Sequence, residues 1–163
     1  MKNMKKLLFV CMLMLSMNIQ AQDVFNELRQ KNKAIVEDPQ SNELVKKISM
    51  FKLDALNYMV VKMQEEMPDS SVYFLDNQAY SMNAFVTFYI EKLIKLNNMP
   101  KSLQVEMTKM FMDASYSNPL FHDKDTELTL SYYNSSECLT RFSLDTDWPR
   151  ALAAITRKME DNQ

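Results

Sequence analysis

Over most of the chain, apolar residues recur every three or four positions, the spacing of a helix that buries one face. Between residues 41 and 67 the stripe is Leu44, Ile48, Phe51, Ala55, Tyr58, Met59 and Met63. Ser41 opens this helix, and Pro68 closes it, because proline disfavours helix in the residue before it. An earlier helix carries Val24, Leu28, Ile35 and Val36, with Asp23 as its cap and Pro39 as its boundary. A third is predicted from Asp76 to Leu96. Its stripe is Tyr80, Ala84, Phe88 and Ile94 or Leu93, widened by Phe85 and Val86. Pro100 suits the first turn of a fourth helix. That helix turns Leu103, Met107, Met110, Phe111 and Ala114 inward and stops at Asn118-Pro119.

The period then changes from helical to alternating. Leu128, Leu130 and Tyr132 alternate with polar residues, as do Cys138, Thr140, Phe142 and Leu144 after a turn at Asn134 to Glu137. That is the pattern of two half-buried strands. Two strands alone are weak, so such a hairpin must lie on the helices. Asp145 or Asp147 caps a last helix from Trp148 to Met159, with Ala151, Leu152 and Ile155 facing in. The expected fold is mainly α: a compact bundle of four to five helices with at most one small β-hairpin near residues 127–144. No repeat or linker divides residues 22–163, so they read as a single domain.

The first 21 residues read differently. Lys2, Lys5 and Lys6 precede an uncharged apolar run, Leu7 to Leu15, and a short polar exit ending at Ala21. This is the layout of a secretory signal peptide. The run falls short of the ~20 apolar residues that span a bilayer. Cleavage after Ala21 would leave Gln22 first, able to cyclise to pyroglutamate. Cys11 follows Val10 in the middle of the run, where lipidation would require a small preceding residue. The expected location is the periplasm or the medium, with no transmembrane segment after cleavage.

Cleavage removes three lysines and no acids, so 16 basic and 21 acidic residues remain. A modestly acidic surface argues against nucleic acid as a partner. Cys138 is the sole cysteine left, so no internal disulfide is available. The chain has no glycine, where about 7% is ordinary. Phosphate-binding loops, dinucleotide fingerprints, nucleophile elbows and EF-hand loops all need glycine and are excluded. Helices tolerate its absence, since Asn97, Asn98 and Asn118 can take the left-handed terminal position instead.

Four constellations carry candidate chemistry. His122, Asp123, Asp125 and Glu127 gather the one histidine among acids. Calcium needs six or more oxygens on a sharply turned loop, and zinc would need ligands from elsewhere, so a solvated loop accounts for this run. Cys138 with His122 could form a nucleophile and base, although an unpaired cysteine in a strand is ordinarily a small core residue. Of the ten methionines after residue 21, Met59, Met63 and Met67 share one helix face, and Met107, Met110 and Met112 cluster on another. Thioethers bind Cu(I), but at helical spacing they serve chiefly as adaptable core. Asp145, Asp147 and Trp148 resemble a carbohydrate site, while capping at a positive helix end explains the same two acids.

Phe74-Leu75-Asp76-Asn77-Gln78-Ala79-Tyr80, then Phe85-Val86-Thr87, and later Phe142 to Trp148 with Ala151, resemble small exported proteins of unknown function from Bacteroidales-type bacteria. The resemblance covers about half of the chain after residue 21. It implies compartment and source, and brings no activity, cofactor or site residue. The leading expectation is a non-enzymatic exported helical protein that binds a protein or envelope component through a helix face or the hairpin's free edge. The rivals are a small exported hydrolase using Cys138/His122 or Asp145/Asp147, and a periplasmic metal-handling protein. No cofactor is implied.

Overall fold

The structure, a computed structural model, describes residues 24–124, 127–131 and 139–161. The proposed signal peptide, Asp125 and Cys138 lie outside them. Five helices and one hairpin follow in order: α1 Val24–Glu37, α2 Glu43–Glu66, α3 Val72–Lys95, α4 Lys101–Tyr116, β1 Glu127–Ser131, β2 Leu139–Ser143 and α5 Trp148–Asp161. The chain is thus the mainly α bundle that its periodicity predicts. The strands pair antiparallel, with Leu128 opposite Phe142 and Thr129 opposite Arg141.

The core is aromatic and draws on all five helices, α1 through Phe25, and on the hairpin. Phe51 of α2, Phe85 and Tyr89 of α3, Phe111 of α4, Phe142 of β2 and Trp148 of α5 are all buried. Their rings meet mostly edge to face. Centroids are 5.2 Å apart for Phe85–Phe111, 5.3 Å for Tyr89–Phe142 and 5.5 Å for Phe85–Trp148. Such contacts add about 0.5–1.5 kcal/mol each beyond the area they bury. Phe142 fastens the hairpin to the bundle, touching Phe51, Phe85 and Tyr89.

The helix ends depart from expectation in instructive ways. Asn42, not Ser41, caps α2, its side chain accepting the Leu44 N–H at 2.9 Å. Ser41 instead donates to Asp38, which also accepts the Gln40 N–H. Those bonds, the Gln40 one foremost, hold the Asp38 carboxyl below its ordinary range. α3 begins four residues before Asp76. Asp76 is buried and accepts the Phe25 N–H at 3.0 Å, anchoring the first turn of α1 from another helix. The expected left-handed asparagines are not found. Among the described residues only His122 has positive φ, at 61°. α3 closes instead on tight turns, with Leu96 N–H donating to the carbonyls of Lys92 and Leu93. Gln104 then reaches back from α4 to the Leu96 carbonyl at 2.9 Å.

The phase of α3 is also corrected. Ala79, Met82, Phe85, Val86, Tyr89 and Leu93 are buried, while Tyr80 and Ile94 are exposed. Phe85 and Val86 form the centre of the stripe and not its margin. The helix is apolar on several sides, so spacing alone left the inward direction ambiguous.

Lys52 is half-buried on α2 and donates to Asn83 Oδ1 of α3 at 2.7 Å. Burial, reinforced by Lys31, lowers its pKa to about 8. Below that pH both folded and unfolded chains carry the charge, and the folded chain bears the desolvation cost. Between pH 8 and 10.5 the folded chain has shed a proton that the unfolded chain still holds, so stability rises across that window. Lys52→Met should therefore stabilise the protein at pH 7 by about 1–2 kcal/mol. Thermal melts at pH 7 and pH 10.5 should show the gain at the lower pH and little at the higher. Equal melting shifts at both would refute it.

Candidate functional site

The acidic candidates turn out to work on the backbone. Asp145 is 1% exposed. One of its oxygens accepts the N–H groups of Leu120 and Phe121, and the other accepts that of Asp123 at 2.6 Å. It caps no helix. It ties the loop after α4 to the segment between β2 and α5. Asp147 is the cap of α5: its side chain receives the Arg150 N–H and the Gln78 amide, and forms an ion pair with the Arg150 guanidinium at 3.2 Å. Trp148 is wholly buried, and its backbone N–H donates to Gln78 Oε1 at 3.0 Å. A ring with no free face offers no platform to a sugar.

The histidine loop is likewise held in place by its neighbours. His122 is exposed, and its left-handed backbone makes the sharp turn that lets the next N–H reach Asp145. The Asp123 carboxylate faces outward to Lys62 of α2 at 3.2 Å and receives the Tyr58 hydroxyl at 3.4 Å. Lys62 also donates to Glu66 at 2.9 Å, and the two acids, Glu66 first, hold its ammonium above its ordinary pKa. Among the described residues no three of His, Cys, Asp and Glu are grouped to hold a metal. Asp125 and Cys138 lie outside those residues, so the structure does not address the pairing of Cys138 with His122.

Spacing in the sequence gave no sign of the polar residues that brace this region. Ser115 and Thr146 are buried and hydrogen-bonded at 2.8 Å, and the Ser143 N–H donates to the Ser115 hydroxyl at 3.0 Å. Thr146 donates in turn to the Ser143 carbonyl. Each partner lies far along the chain or on the backbone, where no spacing rule operates.

The methionines divide into two groups. Met59 and Met63 are buried core, and Met67 sits half-buried at the end of α2. Met107 and Met110 are half-buried, and with Met159 of α5 they line a surface groove of about 300 Å³. Leu96 and Leu103 complete its apolar wall, and Lys92 and Glu106 stand at its edge. The Lys92 ammonium lies 5.0 Å from the centre of the Phe88 ring. Leu103, Met99 and Ile94 extend exposed apolar surface from the same end of the bundle. Met107 and Met110 were legible as a pair, being three apart on one helix; Met159 joins them only through the packing of α5. A second groove of about 150 Å³ lies at the α2–α3 turn, between Val60, Met63, Met67 and Leu75.

No helix among the described residues is long and apolar enough to cross a membrane. No family model matches this sequence, and searches of curated proteins and of solved structures return no match.

Proposed function

We propose that this is a non-enzymatic exported protein, acting in the periplasm or outside the cell, that binds an apolar segment of another protein or envelope component. The observation that supports this most directly is the groove between α3, α4 and α5, walled by Met107, Met110, Met159, Leu96 and Leu103. Thioether side chains are flexible and polarisable and repack around differently shaped apolar partners. A Lys and a Glu at the edge suit an amphipathic segment, whose polar side would meet them. The basic start and apolar run before Ala21 support export. The hydrolase alternative receives no support from Asp145 and Asp147, whose oxygens are committed to structural bonds.

The test is photo-crosslinking in the native host from position 110, with position 65, exposed on α2, as control. A discrete crosslinked partner is expected from position 110 alone, and the recovered chain should begin at or near Gln22. Met107→Glu should abolish the crosslink by placing a charge in the apolar wall. An identical background from positions 110 and 65 would sink the binding reading, and an intact Met1 would sink the export reading separately. The three thioethers also favour a second reading, a soft monovalent metal such as Cu(I). Competition against a chromogenic Cu(I) chelator decides it: retention of copper that is lost on replacing the three methionines by leucine would select metal handling.

A further inference from the structure

The ten methionines after residue 21 differ in what can reach them. Met59 of α2 and Met82 of α3 are wholly buried, and Met63 is nearly so. Met107 and Met110 of α4 and Met159 of α5 are half-buried: they pack against the core on one side and line the groove on the other. Three thioethers from two helices thus share one solvent-open groove, whose remaining apolar wall, Leu96 and Leu103, is aliphatic.

Among apolar side chains, the thioether is the one that a mild oxidant makes polar. With a peroxide, the sulfur lone pair attacks one oxygen and the O–O bond breaks. After a proton shift the products are a sulfoxide and water. Sulfur gives up two electrons and the peroxide takes them, so no other reactant is needed. The new oxygen is a strong acceptor on a wall that was apolar. An apolar segment laid over it would bury it without a donor. Of the two charged side chains at the groove's edge, Lys92 can donate to such an oxygen and Glu106 cannot. The core thioethers have the same chemistry but no access, so an oxidant can change the groove and leave the fold in place.

We infer that Met107, Met110 and Met159 form an oxidant-sensitive modification site, and that their conversion to sulfoxides by a peroxide closes the groove to apolar ligands. The change is reversible, because sulfoxide reductases return the thioether at the expense of a dithiol, which leaves as a disulfide with one water. The inference rests on the reading of the groove as a binding site.

The test treats the full chain with hydrogen peroxide, maps the added oxygen by mass spectrometry, and titrates with N-phenylnaphthylamine, a neutral apolar fluorophore. Met50 and Met99 are half-exposed and oxidise too. The control is therefore a variant with Met107→Leu, Met110→Leu and Met159→Leu, which keeps the apolar wall and nearly the same volume. The groove methionines should gain oxygen well before Met59 and Met82, with the helical circular dichroism unchanged. Affinity for the fluorophore should fall about tenfold and return after treatment with sulfoxide reductases and a dithiol. The leucine variant should bind like wild type and lose nothing on the same exposure. Oxidation of Met59 in step with Met107, unchanged affinity in the fully oxidised groove, or an equal loss in the leucine variant would each overturn the inference and spare the groove reading. Binding to the untreated protein that is absent, or that survives Met107→Glu, would sink the groove reading and this inference with it.

Discussion

Asp145→Ala should cost about 3–5 kcal/mol of folding stability, a large share of the ~5–15 kcal/mol that a domain possesses. Three backbone N–H groups, those of Leu120, Phe121 and Asp123, converge on this one buried carboxylate. Hydrogen bonds to a charged acceptor are worth about twice their neutral counterparts. Removing the acceptor also leaves three half-buried donors without the partner that the fold built for them, and that desolvation cost is the larger part of the loss. Asp145→Asn preserves the shape and one acceptor oxygen but turns an amide N–H₂ toward at least one donor, so it should fall between wild type and alanine. Urea unfolding, followed by Trp148 emission, measures both. A loss below about 1 kcal/mol for Asp145→Ala would show that the loop holds its shape without the carboxylate.

Phe142→Ala should be comparably damaging, at about 3–5 kcal/mol. The reason differs. Phe142 is wholly buried and stands edge-on to three rings from two helices, at 5.6 Å from Phe51, 5.5 Å from Phe85 and 5.3 Å from Tyr89. Truncation removes those contacts and opens a cavity that the rigid helices cannot fill. A two-stranded hairpin has little stability of its own, so loosening this ring releases the strands as well. Phe142→Leu, which retains most of the volume, should lose only about 1.5 kcal/mol. The native emission of Trp148, blue-shifted by its burial, should move to the red in the alanine variant even before global unfolding. Equal losses for leucine and alanine would show that the ring contacts, and not the filled volume, carry the effect.

What was legible in the sequence was whatever obeys a period. The stripes of α2 and α5, that of α4 apart from Leu103, which is exposed and not turned inward, and the alternation through Phe142 to Leu144 follow from spacing, and the bundle with its hairpin follows from them. The phase of α3 was not legible, because Tyr80 and Ile94 are as apolar as the residues that pack inward. The residues assigned to the core at 80 and 94 face outward. The role of Asp145 was hidden for another reason. Its partners are main-chain groups 22 to 25 residues away, and a backbone N–H has no letter in the sequence. Asp147, whose partners lie within its own helix start and on α3, was half visible as a cap. Met159 could not be joined to Met107 and Met110 before the packing of α5 against α4 was known.

The bond from Phe25 to Asp76 bears on how the chain enters the domain. The start of a helix is ordinarily governed by the residues just ahead of it, since they supply the cap. Here the first turn of α1 is secured by a carboxylate from the middle of the domain. The start of α1 thus draws on the folded body. If the proposed leader is removed ahead of Gln22, the first turn of α1 keeps an anchor that lies in the body of the domain.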